Sequence, residues 1–166
     1  MKRNIILIGM PGAGKSTLGV LLAKAMGMLF TDSDIIIQQK TKRLLQDIID
    51  NDGTDSFLAT EEEVLLELDI ENTVLATGGS AVYSEKAMEH FRKNGTVVYL
   101  HVDFAEIEKR VTNITTRGIV LKNGKSLADA YEERKPLYDK YADVTIDCTG
   151  STIENSVKML IEKLDN

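Results

Sequence analysis

The sequence predicts an α/β fold in which short buried strands alternate with helices around a phosphate-binding loop. Two observations carry this. An apolar run, Ile5 to Ile8, leads directly into Gly9-Met10-Pro11-Gly12-Ala13-Gly14-Lys15-Ser16-Thr17, a full match to G-x-x-x-x-G-K-[ST], and an amphipathic stretch follows. Four further short apolar runs, each set between helical stretches, repeat the alternation to the end of a 166-residue chain, a length that suits one domain with a real core.

The first strand is Asn4 to Ile8, and the helix behind it runs from Gly14 to Met26 with Leu18, Leu21, Leu22 and Ala25 on one face. Between them, glycines let the backbone curl so that successive N–H groups point inward at a phosphate, and the helix start adds its dipole. In such a loop Gly12, Ala13, Gly14 and Thr17 contribute to the phosphate cradle. Lys15 reaches the β- and γ-phosphates, and the Ser16 hydroxyl is placed to ligate Mg²⁺.

Leu29-Phe30-Thr31 is the second strand and ends in Asp32-Ser33-Asp34, after which Ile35-Ile36-Ile37 opens a helix. Two carboxylates at the carboxyl end of a strand parallel to the first would lie near the phosphate loop. There Asp32 can hold a Mg²⁺-bound water, and Asp34 can accept a hydrogen bond from a substrate hydroxyl or take its proton. The competing reading is a pair of helix caps. Helices follow over Leu44 to Asn51 and Ser56 to Leu68, with Glu61-Glu62-Glu63 expected as a solvated turn.

Thr73 to Ala76 is the third strand, and Thr77-Gly78-Gly79-Ser80 after it would let the backbone approach a ligand closely. Tyr83 to Lys93 is helical, with Asn94-Gly95 as its stop signal. Thr96 to Val102 is the fourth strand and Glu106 to Val111 a short helix. The polar segment Thr112 to Asn123 is expected as a mobile loop from which Arg117 can swing over the phosphates. Leu127 to Lys140 is a helix, Asp143 to Ile146 the fifth strand and Thr152 to Leu164 the closing helix.

Composition excludes other classes. With 26 acidic against 20 basic residues and a net charge of −6, no basic surface is available for nucleic acid. An anionic substrate therefore needs specifically placed cations. The single Cys148 forms no intrachain disulfide and fits a reducing compartment, and the apolar run before the phosphate loop is too short for a membrane span or signal segment. The expectation is a cytoplasmic monomer with a small-molecule substrate and no membrane partner. His90 and His101 have no partners at metal-ligand spacing.

In this order and spacing the pieces resemble the shikimate kinase family, small enzymes that move the γ-phosphate of ATP onto a ring hydroxyl. The resemblance rests on Gly9 to Thr17, Asp32-Ser33-Asp34, Phe57 with Glu61, Thr77-Gly78-Gly79, Arg110, Arg117 and Glu133-Arg134-Lys135-Pro136-Leu137-Tyr138. It implies a three-layer P-loop kinase fold: a five-stranded parallel sheet in the order 2-3-1-4-5, flanked by helices. It implies one domain over 1–166, with a lid at about 112–124 and substrate-binding helices at about 34–70. It also implies ATP and Mg²⁺ as cofactors and a place in aromatic amino acid biosynthesis. Carried over to this chain, Lys15 and Arg117 contact phosphates, Ser16 and Asp32 serve Mg²⁺, and Arg110 lies near the adenine. Asp34 and Gly79 hold substrate hydroxyls, Arg134 holds the substrate carboxylate, and Gly78 belongs to the same substrate-binding set. Lys15, Asp34 and Arg117 form the catalytic set.

One departure bears on the substrate. The family pattern has Phe-Arg where this chain has Phe57-Leu58, and that arginine shares the carboxylate with the one matching Arg134. Losing such a charge-assisted contact removes roughly 1.5–3 kcal/mol of binding. Ser80 replaces a third glycine and Gly118 the proline after the lid arginine. Three functions follow. The first is a shikimate kinase in which Arg43, Lys40 or Lys42 assists Arg134. The second is a kinase of the same fold for another small hydroxylated molecule. The third, a nucleotide-binding protein without transfer activity, has no evident need for Asp34.

Overall fold

The computed structural model describes residues 4–111 and 118–165. The first strand, β1 (Asn4–Ile8), is buried along its whole length because it lies at the centre of the sheet. Around it the strands run β2 (Leu29–Asp32), β3 (Thr73–Ala76), β1, β4 (Gly95–His101) and β5 (Val144–Asp147). All pairings are parallel: Ile6 sits opposite Leu75 of β3 and Val97 of β4. β3 is buried throughout and β4 nearly so, as strands covered on both faces must be, whereas the edge strands β2 and β5 are partly open. Asn4 ties the lower end together: its amide donates to the carbonyls of Ile70 and Asn94, and its side-chain oxygen accepts from Thr73 N–H.

Helices α1 (Lys15–Met26), α2 (Ser33–Thr41), α3 (Leu45–Asp52), α4 (Thr54–Leu66), α5 (Glu85–Asn94), α6 (Phe104–Arg110), α7 (Leu127–Tyr141) and α8 (Ile153–Leu164) complete the chain. α7 starts at a capping box in which Ser126 and Asp129 satisfy each other's backbone N–H, and α8 starts at a Thr152 cap. The strand order and flanking helices are those expected. Among the described residues no helix is long and apolar enough to cross a membrane.

Several local expectations are corrected. The buried face of α1 is Leu18, Gly19, Leu22 and Ala23, while Leu21 and Ala25 are exposed. Gly19 belongs to the buried stripe because a Cβ there would come within 2.7 Å of the Phe30 ring. Gly95 is not a left-handed helix stop but extended backbone that begins β4 at once. A short 3₁₀ turn, Ala81–Tyr83, precedes α5, so that helix starts two residues later than expected.

Two hydrophobic cores form. The larger wraps both faces of the sheet. The smaller joins Ile37 of α2, Leu45 and Ile48 of α3, and Phe57 and Val64 of α4. Val120 also belongs to it, so part of the expected lid segment is packed down onto the α2–α4 helices. Gly118 sits against Leu45. Residues 112–117, including Arg117, lie outside the described residues.

Candidate active site

The site lies at the carboxyl ends of β1, β2 and β3, where a parallel sheet with helices on its faces leaves a crevice. After β1 the chain turns through Gly12 and Gly14, both at positive φ (83° and 92°), into the first turn of α1. Only glycine takes that conformation without strain, and it is what aims the loop's N–H groups at one point. Lys15 is buried over the loop, its Nζ donating to the carbonyls of Gly9 (2.7 Å) and Met10 (2.9 Å). Arg110, at the end of α6, donates to the carbonyl of Gly12 at 3.0 Å and pairs with Glu106 at 2.6 Å, fixing its guanidinium beside the loop.

At the end of β2, Asp32 takes the capping role and also lies beside the phosphate loop. Asp32 caps α2 by accepting from Asp34 N–H, and its other oxygen accepts from the Ser16 hydroxyl at 2.6 Å. Asp34 is the second residue of α2 and faces the crevice. Burial, with the neighbouring Asp32 charge, raises its pKa to about 6, against an opposing pull from Lys15.

The β3 end supplies the close approach. Thr77 donates to the Leu7 carbonyl through both its N–H and its hydroxyl, and Gly78 N–H donates to Ser33 Oγ. A Cβ on Gly78 would meet Asp34 Oδ1 at 2.8 Å and Glu61 Oε2 at 3.0 Å. One on Gly79 would meet Pro11 at 2.7 Å and Arg134 Nη1 at 3.1 Å. Both glycines therefore make room for a carboxylate, a guanidinium and a ligand around them.

Arg134 of α7 is 1% exposed. Its Nε donates to the Tyr83 hydroxyl, its Nη2 to the Val120 carbonyl, and its plane lies over the Tyr83 ring. Burial pushes the Tyr138 phenol up, so it stays a neutral donor, holding the Gly79 carbonyl at 2.6 Å.

Glu61 was expected on a solvated turn and is instead 2% exposed. The spacing Phe57, Glu61, Val64, Leu65 puts it on the buried stripe of α4, and that periodicity is the signal that outweighs the acidic run. Its Oε1 accepts from Ser80 Oγ at 2.8 Å, and its Oε2 has no hydrogen-bond partner among the described residues. Burial raises its pKa to about 7; the Ser80 hydrogen bond and Arg134 pull it down, and Asp34 pushes it up.

These elements enclose one cavity of about 460 Å³. Of the residues singled out in the sequence, Gly12, Gly14, Lys15, Ser16, Thr17, Asp34, Gly78, Gly79, Arg110 and Arg134 line it. Ala13 is buried behind it, and Asp32 reaches it through Ser16. Phe57 lines the cavity, while Leu58 is partly buried beside the smaller core. Arg43 is engaged with Asp52 at 2.5 Å and with the Asp47 carbonyl. Lys40 pairs with Glu67 on the surface.

The model of the shikimate kinase family matches residues 11–165. The chain belongs to the shikimate kinase family. It is accordingly an ATP-dependent small-molecule kinase, a phosphotransferase. It is 39% identical over 166 residues to the shikimate kinase of Thiobacillus denitrificans, covering 98% of this chain and 90% of that one. Among solved structures it is similar to the shikimate kinase from Acinetobacter baumannii in complex with shikimate, with a TM-score of 0.90 and 32% identity over 98% of this chain and 92% of that one. It is also similar to the shikimate kinase from Aquifex aeolicus, with a TM-score of 0.85 and 29% identity over 98% and 96% of the two chains.

Proposed function

We propose that this shikimate kinase family member transfers the γ-phosphate of ATP to a hydroxyl of shikimate, giving shikimate 3-phosphate. The observation that carries the reading is the meeting of Asp34, Arg134 and the Gly78-Gly79 backbone in the cavity that also holds Lys15 and Ser16. A hydroxyl acceptor and a guanidinium at opposite sides of one glycine turn, next to a phosphate cradle, suit a small hydroxylated acid. A relative solved in complex with shikimate supports the same acceptor.

In the proposed mechanism Lys15 exchanges the Gly9 and Met10 carbonyls for phosphate oxygens and stabilises charge developing on them. Asp34 accepts the proton of the attacking hydroxyl, and a pKa of about 6 leaves it ionised yet basic near neutral pH. Arg134 fixes the far end of the acceptor. Ser16 and Asp32 offer a hydroxyl and a carboxylate, a hard oxygen set that suits Mg²⁺ held jointly with substrate phosphates and water. When bound, the ion neutralises phosphate charge. Arg110 flanks the nucleotide end, and Arg117 would close over it from the segment outside the described residues.

Leu58 favours a second reading, a kinase for another small hydroxylated acceptor with a weaker anionic group. Leu58 stands outside the cavity lining, and Arg134 is the cation that lines the acceptor end among the described residues. An ATP-consumption screen of small polyols and hydroxy acids tests both. Turnover highest with shikimate is expected; turnover with a neutral polyol and none with shikimate would overturn the first reading in favour of the second.

A further inference from the structure

Glu61 is the one buried carboxyl in the acceptor end to which the mechanism above gives no task. It is held from one side by Ser80, and its second oxygen, lying over Gly78 on the same side as Asp34 Oδ1, has no hydrogen-bond partner among the described residues. A buried carboxyl oxygen without a partner is costly to keep. Position 58, three residues earlier on the same helix, carries leucine and so supplies no cation to it.

The charged and titratable groups facing Glu61 are few. Asp34 comes from α2, and Arg134 with Tyr138 from α7. From α3 and α5 the nearby charges are engaged at the surface: Asp52 with Arg43, Lys86 with Glu62, Glu85 with Lys140. Arg134 is therefore the cation that an ionised Glu61 feels, and it is also the cation an acceptor carboxylate needs.

Resting on the shikimate reading above, we propose that Glu61, anchored by Ser80, is a specificity-determining residue that competes with the acceptor's carboxylate for Arg134. With Glu61 neutral, the Arg134 guanidinium is left to pair with the carboxylate of an anionic acceptor. With Glu61 ionised, its carboxylate draws on the same guanidinium and adds a negative charge beside the acceptor end, which weakens the binding of an anionic acceptor. A neutral acceptor of the same shape is indifferent to the difference. Burial brings that change of state into the neutral range, near pH 7.

The test is calorimetric titration of the full-length protein with shikimate and with shikimate methyl ester, from pH 6.5 to 8.5. For the wild type, the Kd for shikimate should rise about tenfold across this range, the order expected for one added charge near the site. The ester should show no such rise. Glu61→Gln keeps the Ser80 contact and should bind shikimate tightly and without the pH slope. Ser80→Ala removes the hydrogen bond that favours the ionised form, so the midpoint should move to higher pH; this variant keeps the test open should the glutamine variant fold poorly. A flat wild-type profile, or an equal slope in Glu61→Gln, overturns the inference while leaving the acceptor assignment standing. Ester binding without shikimate binding at any pH, in all three proteins, overturns both.

Discussion

The Ser16 hydroxyl donates to one oxygen of Asp32 at 2.6 Å while the other oxygen of that carboxylate accepts from Asp34 N–H at 2.9 Å. A single side chain thus links the phosphate loop, the start of α2 and the position of the candidate base. Its two oxygens have separable duties, which makes the next outcome specific.

Asp32→Asn keeps an oxygen able to cap α2 but loses the charge. Thermal stability should change little, since capping by Asn and Asp is nearly equal, while the Mg²⁺ concentration needed for half-maximal activity should rise. Asp32→Ala should add a stability loss of about 1 kcal/mol. Scanning calorimetry with a Mg²⁺ titration of activity separates the two effects. An unchanged Mg²⁺ requirement in both variants would remove Asp32 from the metal assignment.

Lys15→Ala removes the cation fixed above the phosphate loop. Turnover should fall by about two orders of magnitude or more, in line with the loss of a preorganised charge at a transferring phosphoryl group. Steady-state kinetics at saturating ATP check this, and near-normal kcat would contradict the proposed mechanism.

With a pKa of about 6, Asp34 is ionised above that pH and protonated below it. As a base it should make kcat fall with decreasing pH through about 6, the slope vanishing in Asp34→Asn along with most of the activity. A kcat profile flat from pH 5 to 8 would leave Asp34 an orienting group only.

Asp34 and Glu61 have folded-state pKa values raised above 3.8 and 4.5, to about 6 and about 7. The folded state therefore binds more protons than the unfolded one between those limits, and stability must fall as pH rises from about 4 to about 7. The penalty is complete above the folded values. Glu61→Gln should remove its share, gaining of the order of 2–3 kcal/mol at pH 8 and almost nothing at pH 4.5. Urea unfolding of both proteins at the two pH values gives the comparison.

Leu58→Arg introduces a guanidinium one helical turn from Glu61, beside the acceptor end. If shikimate is the acceptor, its KM should drop by the equivalent of roughly 1.5–3 kcal/mol with kcat little changed, because the carboxylate lies far from the transferring phosphoryl. If the acceptor is a less anionic molecule, the same change should weaken binding by burying an unneeded charge. Kinetics for shikimate in wild type, Leu58→Arg and Arg134→Ala discriminate the two.

Much of this site was legible in the residues themselves. The glycine-lysine-serine loop and the Asp32–Asp34 pair act through local geometry, which spacing along the chain specifies. Arg134 needed the resemblance, because it meets Gly79 only after α7 has crossed to the end of β3. Glu61 was misread because charge counted for more than periodicity: three acids in a row suggest solvent, but Phe57, Val64 and Leu65 define the stripe on which Glu61 falls. The placement of Leu58, one position along and off that stripe, is a rotation about the α4 axis set by packing against the smaller core. Tertiary contact, not local preference, decided both.

The central place of β1 carries a cost during synthesis. β1 precedes both of its partners by long stretches of chain: Ile5 pairs with Val74, and Asn4 with Gly95. At roughly 5–20 residues per second, an apolar strand and a bare glycine loop wait several seconds for their neighbours. Parallel pairing across such separations is slow to close and exposes sticky surface in the meantime. The arrangement that centres the nucleotide loop in the finished enzyme therefore leaves the nascent chain dependent on protection from aggregation until β4 has emerged.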